Sequence, residues 1–393
     1  MREQDVAPDD IRGLEDLSKL PFTTKEDLLK GDLFDALAVP RSSVVRVHTS
    51  SGTTNRPVVT FYTRSDLETW SELLARNLAA TGAKPGDVFL NTAGQGMFTG
   101  GLGYIAGAER LGLTVVPMGP ASPERQLEVM KIFGITVFHA IPSFALRIAD
   151  AAERLGIDIE RELSLRIGIL GAEPWTEEMR RLIEKRLSIK AYNNYGAAEL
   201  GGPGVAVECI AQRGMHVWED HFIVEVVDPK TGEQLEPEED GELVVTPLWR
   251  EAMPLLRYRT GDVARILDEK RCECGREMAK ISWIHGRLDD MIKVRGIGLY
   301  PSAVEKVILR HPEVNGEYLV VLEGYDDVKV QVEVKEQILN TERAEELAEQ
   351  LSRELKATTM LKMRVELLPP GSLPRSEGKA RRVLDLRRVH GGG

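Results

Sequence analysis

Between about residues 60 and 196, short runs of consecutive apolar residues alternate with longer stretches whose apolar positions recur every three or four residues. The short runs are "DVFLNTAG" (87–94), "LTVVPMG" (113–119), "TVFHAIP" (136–142), "LRIGILGAEP" (165–174) and "IKAYNNYG" (189–196), and they read as strands. Between them, "SPERQLEVMKIFG" and "TEEMRRLIEKRL" read as helices. Ser122 and Thr176 are their N-caps, since each hydroxyl sits where an orphan backbone N–H needs an acceptor. This alternation predicts right-handed βαβ units on a mostly parallel sheet. Such sheets bind ligands at the carboxyl ends of their strands, where the polar loops "GAEP" and "NNYGAAE" follow two of them.

After about residue 205 the period changes. "FIVEVVDPKTGEQLEPEEDGELVVTPL" alternates apolar and polar positions around Pro- and Gly-rich turns, which reads as antiparallel β structure. A second change comes at "GRLDDMIKVRG" (286–296). A helix ("PSAVEKVILRH"), two strands ("EYLVVLE", "DVKVQVEVK"), a long helix ("TERAEELAEQLSRELKA") and a last strand ("MRVELLP") follow it. The predicted fold is therefore α/β. A large N-terminal domain over residues 1–288 has mostly parallel sheets flanked by helices, plus a β-rich subdomain at about 205–285. A small α+β C-terminal domain covers residues 289–393.

Composition narrows the function classes. The chain of 393 residues is 42% hydrophobic and 29% charged, as in ordinary globular proteins of two or three domains. Its net charge of −11 argues against a nucleic-acid partner, which usually demands a basic face. No run approaches the roughly 18 apolar residues that span a bilayer, so no membrane partner is expected. The N-terminal "MREQDVAPDDIRGLEDL" is acidic and lacks an apolar signal core, and the expectation is a cytoplasmic location. Three cysteines fit a reducing compartment rather than a disulfide scaffold.

Several segments carry candidate chemistry. "RVHTSSGTTNRPVVTF" (46–61) sets Ser, Thr and Gly residues between two strand-like runs, a composition suited to cradling phosphate oxygens and equally to a surface turn. In "YRTGDVARI" (258–266), Asp262 on a Gly turn suits a pair of ribose hydroxyls; a plain hairpin Asp is the alternative. "YGAAE" (195–199) offers an aromatic face for a base and, in Glu199, a carboxylate for Mg²⁺, or else a strand end with a solvated Glu. "LPRSEGKARRV" (373–383) sets Lys379 on a Gly turn or in a solvated basic tail. Cys209, Cys272 and Cys274, with His216, flank the β-rich region. They compose a Cys₃His set for structural zinc, the alternative being three reduced thiols and a surface histidine. Using every cysteine of the chain in one region favours zinc. His48, His139 and His221 read as structural or pocket-adjacent.

Taken in order, "DLSKLPFTTKEDL", "SSGTT", "FTGGLG", "GAEPW", "YGAAELGGPGV", "HVWEDHF", "RYRTGD", "GRLDDMIKVRG" and "LPRSEGKARRV" resemble the adenylate-forming superfamily of acyl-CoA synthetases, and within it the phenylacetate-CoA ligase branch. Family members usually carry several tens of residues more at the N-terminus, which implies looser packing there. The resemblance implies an AMP-forming ligase that joins an aromatic or arylacetic acid to coenzyme A, using ATP and Mg²⁺. Thr49, Ser50, Ser51, Gly52, Thr53 and Thr54 would wrap the β- and γ-phosphates. Asn55-Arg56 stands where the family usually has Gly-Lys; Asn tolerates left-handed backbone and Arg keeps the charge. Gly171, Ala172 and Glu173, with Asn194, Tyr195 and Gly196, would bracket the adenine, and Asp262 would grip the ribose. Glu199 would hold Mg²⁺, Arg287 would help hold nucleotide or domain position, and Lys379 would stabilise charge at the α-phosphate. The small C-terminal domain would be mobile, rotating about a hinge at Asp289. Gln95, Met97, Phe98, Tyr104, Ile105 and Ala106 would line the acyl pocket. Gln95-Gly96-Met97-Phe98 and Ile105-Ala106 replace the usual Tyr-Gly-Leu-Phe and His-Tyr, which predicts an acid other than phenylacetate, larger or more polar. A homodimer is the candidate assembly. The competing functions are adenylyl transfer to a deazaflavin coenzyme and non-catalytic nucleotide binding.

Overall fold

The computed structural model describes residues 6–50, 57–269, 271–294, 297–323, 327–375 and 380–387. The chain folds into two compact units. One comprises Met1–Ala140, Leu163–Ala172 and Tyr192–Ile284; the other comprises Ile141–Glu162, Glu173–Ala191 and His285–Gly393. No helix among the described residues is long and apolar enough to cross a membrane.

A nine-stranded sheet organises the first unit. Its order is Ile266–Leu267, Lys280–Ile281, Met215–Val217, Gly202–Glu208, Lys190–Ala197, Ile167–Gly171, Val137–Ala140, Val88–Asn91 and Thr114–Val116. All five strands expected between residues 87 and 196 are present. Val88–Asn91 pairs in parallel with both Thr114–Val116 and Val137–Ala140, and the latter pairs in parallel with Ile167–Gly171. These strands are apolar on both faces because helices cover them: Val137–Ala140 and Ile167–Gly171 are buried throughout. Both expected N-caps are in place. Ser122 Oγ accepts from Arg125 N at 3.3 Å, and Thr176 Oγ1 from Met179 N at 3.2 Å.

The β-rich region divides between two sheets, which its alternating pattern does not announce. Gly202–Glu208, Met215–Val217, Lys280–Ile281 and Ile266–Leu267 extend the central sheet in antiparallel fashion. Phe222–Val227, Gly241–Pro247 and Tyr258–Ala264 instead form a separate antiparallel layer. A small hairpin, Arg46–Thr49 with Val59–Tyr62, carries the Ser/Thr/Gly loop.

In the second unit, strands run in the order Arg364–Leu368, Val328–Val334, Val314–Leu322, Val383–Asp385. Glu342–Thr359 lays Leu347, Leu351 and Leu355, one helical turn apart, into a core with Val320, Val330 and Val332. The strand in "MRVELLP" is not the last, as the sequence suggested. Val383–Asp385 adds in parallel to Val314–Leu322, so the basic tail is partly built into the sheet.

Candidate active site

The hairpin strands close the mouth of the Ser/Thr/Gly loop through a few backbone bonds. Thr49 pairs with Val59 in register, and Thr49 N–H also donates to Met97 O at 2.8 Å. Ser50 N–H donates to Val58 O at 2.9 Å, and Val58 N–H returns a bond to Ser50 Oγ at 3.1 Å. Thr49 and Ser50 thus frame the loop. Ser51, Gly52, Thr53, Thr54, Asn55 and Arg56 lie outside the described residues, as does Lys379.

Two adjacent strands of the central sheet end at the adenine and ribose candidates. Ile167–Gly171 runs into Ala172, which takes a left-handed φ of 69°. Asn194, on the neighbouring strand, donates its amide Nδ2 to Leu170 O at 2.8 Å. One residue on, Tyr195 Oη donates to Asp262 Oδ2 at 2.7 Å, with both side chains buried. The tyrosine and aspartate, 67 positions apart in the chain, form one unit. Asp262 belongs to the strand Tyr258–Ala264 rather than to a hairpin turn, and its N–H donates to Thr260 Oγ1 at 3.1 Å. A hydrogen bond to a buried carboxylate contributes about 1.5–3 kcal/mol and fixes its direction. Gly196 follows at an irregularity in the pairing with Gly202–Glu208, where a β-carbon would lie 2.2 Å from Gly202 O. Only glycine fits there.

The chain then makes the short 3-10 turn Ala198–Leu200, which holds Glu199 at 7% exposure. Its carboxylate makes no hydrogen bond or ion pair among the described residues, and its oxygens are not among the fully buried polar atoms, so they are open to a ligand. A hard cation with oxygen ligands fits that vacancy of partners.

Glu173, in the second unit, has both oxygens of its carboxylate engaged by backbone donors. Its Oε1 accepts from Ser143 N at 2.7 Å and its Oε2 from Ala380 N at 2.8 Å. It therefore clamps a helix start and the residue after Lys379. Arg287 and Asp289 are brought together: Nε donates to Oδ1 at 2.9 Å.

Of the pocket candidates, Gln95 Nε2 donates to Pro117 O at 2.9 Å, while Met97 and Phe98 are about half exposed. Tyr104 is wholly buried, stacked on His139 at 4.3 Å. It lies in the packed wall rather than on an open surface. Ile105 and Ala106 are half-buried on the same helix, Thr99–Leu111. Burial pulls His139 down to about 3, so it is a neutral structural group bonded to Asn91 Oδ1 at 3.0 Å. His48 is buried beside Met97 O and is likewise pulled down by burial. His221 stands 3.0 Å from Asp220 Oδ1, at the end of the segment "HVWEDHF".

The cysteine candidates converge. Cys209, His216, Cys272 and Cys274 offer donor atoms that all lie within 4.8 Å of one another. Cys209 Sγ is 3.6 Å from Cys272 Sγ, and Cys274 Sγ is 3.5 Å from His216 Nε2. With Zn–S near 2.3 Å and Zn–N near 2.0 Å, a tetrahedron has S···S edges of about 3.8 Å and S···N edges of about 3.5 Å. The Cys209–Cys272 and Cys274–His216 edges stand close to those lengths, and the remaining donor pairs lie within 4.8 Å.

Arg250 is a buried cation beside these elements that sequence reasoning did not single out. It sits in "WREAMP", which matches no motif, and its burial arises only from contacts with residues far away in the chain.

Residues 10–247 match the AMP-binding enzyme family, and residues 296–387 match the AMP-binding enzyme C-terminal domain. Phenylacetate-coenzyme A ligase of Thermus thermophilus is 47% identical, over 98% of this chain and 91% of that protein. The Escherichia coli enzyme of the same name is 43% identical, over 98% and 89%. Among solved structures, a 2-hydroxyisobutyryl-CoA ligase in the postadenylation state with an acyl-AMP superposes with a TM-score of 0.92 at 27% identity. That match covers 99% of this chain and 84% of the other. The chain belongs to the phenylacetate-coenzyme A ligase family of the adenylate-forming superfamily and is an AMP-forming acid–CoA ligase.

Proposed function

We propose that the protein adenylates an aromatic or arylacetic acid with ATP and passes the acyl group to coenzyme A, in the cytoplasm. The observation that carries the site assignment is the buried Tyr195–Asp262 pair, with Glu199, four residues after Tyr195, a buried carboxylate that has no partner among the described residues. In the first step a carboxylate oxygen of the acid attacks the α-phosphorus of ATP and pyrophosphate leaves, giving the acyl-adenylate. In the second, the CoA sulfur attacks the acyl carbonyl and AMP leaves, giving the thioester.

The residues divide the work. Thr49 to Thr54 wrap the β- and γ-phosphates. The backbone of Gly171–Glu173 and the faces of Asn194, Tyr195 and Gly196 bracket the adenine, while Asp262, aimed by Tyr195, takes the ribose. Glu199 holds magnesium, which when bound offsets charge on the phosphates and eases departure of pyrophosphate. Lys379 meets the charge that builds on the α-phosphoryl oxygens. Arg287 and the hinge residue Asp289 belong to the junction of a 1–288 domain with a mobile 289–393 domain. Cys209, His216, Cys272 and Cys274 hold structural zinc, supported by the near-tetrahedral spacing of their donors.

Gln95, Met97, Phe98, Ile105 and Ala106 line the acyl side, with Tyr104 in the wall behind. The loss of bulky aromatics there supports an acid larger or more polar than phenylacetate. A pyrophosphate-release screen over aryl, arylacetic and short aliphatic acids, with CoA present, tests this reading. The expected best substrate by kcat/KM is an aryl or arylacetic acid other than phenylacetate. Phenylacetate as the best substrate would overturn the pocket argument. Release that needs a deazaflavin instead of any acid would overturn the acceptor.

A further inference from the structure

The search for unexplained groups leads to Arg250. Its side chain is fully buried. Nη2 donates to Phe61 O at 2.5 Å, and the guanidinium lies 4.3 Å over the Tyr62 ring. Both residues belong to the strand Val59–Tyr62, which leaves the loop assigned to the phosphates. The nearest carboxylate, Asp66, is a weak counter-charge: Oδ1 stands 3.9 Å from Nε, and its oxygens already accept from Thr63 N, Glu251 N and Ala252 N. Nε and Nη1 of Arg250 have no hydrogen-bond partner among the described residues.

The idle Nη1 faces a particular neighbour. A β-carbon on Gly201 would lie 2.8 Å from it and 2.6 Å from the Trp249 ring, so the guanidinium and that ring together close the space beside this glycine. Gly201, with φ of 103°, is the C-cap of the turn Ala198–Leu200 that presents Glu199. One buried cation thus touches the exit strand of the phosphate loop and the end of the Glu199 turn. A buried charge with unanswered donors costs folding free energy, and an apolar side chain of similar volume would fill the space more cheaply. Its retention calls for a functional reason.

We propose that Arg250 is a positioning residue for adenylation, fixing the Glu199 turn against the strand Val59–Tyr62 so that Glu199 is held in place to meet magnesium–triphosphate. The proposal rests on the assignment of Glu199 to magnesium. Substitution should therefore weaken the magnesium-dependent part of ATP binding and leave the rest.

The test is calorimetric titration of the full-length enzyme with ATP, with and without MgCl₂, for Arg250→Met, Arg250→Lys, Glu199→Gln and the double variant Arg250→Met/Glu199→Gln. Arg250→Met is expected to weaken MgATP binding about tenfold and metal-free ATP binding less than about threefold. Arg250→Lys, which keeps the charge, should recover part of the loss; if Arg250→Met fails to fold, Arg250→Gln, which also removes the charge, carries the same comparison. Because Arg250 acts through Glu199, the double variant should be no worse than Glu199→Gln alone. Parent-like MgATP binding by the folded Arg250 variants, while Glu199→Gln is impaired, overturns the proposal and leaves the Glu199 assignment standing. Fully additive losses also overturn it. An unaffected Glu199→Gln overturns both.

Discussion

The hydroxyl of Tyr195 decides which way the Asp262 carboxylate faces, because a carboxylate rotates freely unless a donor holds one oxygen. Tyr195→Phe keeps the ring for the base and removes only that donor. Its expected effect is a rise in KM for ATP of about tenfold, the equivalent of one charge-assisted hydrogen bond, with kcat changed less than about threefold. Steady-state kinetics in ATP decide it, and an unchanged KM would show that Asp262 needs no such help. Tyr195, Glu199 and Asp262 could be named as candidates from the sequence because each stands in a short motif whose residue types suit a nucleotide. Arg250 and the clamp role of Glu173 could not. Their partners, Phe61 for one and Ser143 and Ala380 for the other, are near only after folding.

Elements were readable wherever the hydrophobic period was unambiguous, as in the parallel strands and the helix carrying Leu347, Leu351 and Leu355. Which sheet a β-rich strand joins is set by tertiary packing, and the alternation of side chains is the same in either. Met215–Val217 and Lys280–Ile281 show the consequence: they pair next to the edge strand Ile266–Leu267 of the central sheet, where His216 meets Cys209, Cys272 and Cys274. If zinc ties this edge, its binding free energy is part of the folding free energy. Elemental analysis should then find one zinc per chain, and chelation or Cys274→Ser should lower Tm; absent metal with an unchanged Tm in chelator would contradict this. A second element-scale prediction concerns the helix Pro301–Ile308. Burial pushes its Glu305 up to about 7 from 4.5, with Thr176 Oγ1 bonded to it at 3.0 Å. A carboxyl with a raised folded value favours folding when protonated, so stability falls as pH rises from about 4.5 to about 7. The shift corresponds to about 3 kcal/mol. Glu305→Gln keeps the Thr176 bond, so Tm should exceed that of the parent at about pH 8 and converge with it below about pH 5. Equal melting curves at both pH values would refute the assignment.

At the scale of the whole molecule, the role proposed for Lys379 belongs to one half of the two-step reaction and not the other. The residue after Lys379, Ala380, is tied by Glu173, and the chain continues into the strand Val383–Asp385. The central claim is that this ligase forms an acyl-adenylate first and consumes it with CoA second, with the lysine serving the first step alone. The measurement is the rate of each half-reaction, parent against Lys379→Ala: pyrophosphate release from ATP and the best acid without CoA, and thioester formation from synthetic acyl-adenylate with CoA. Losing one donor aimed at developing charge typically lowers a rate about 10²–10³-fold. The account predicts that loss in the first half, with the second half within a few-fold of the parent. An equal loss in both halves, or a parent enzyme that releases no pyrophosphate until CoA is added, would contradict it.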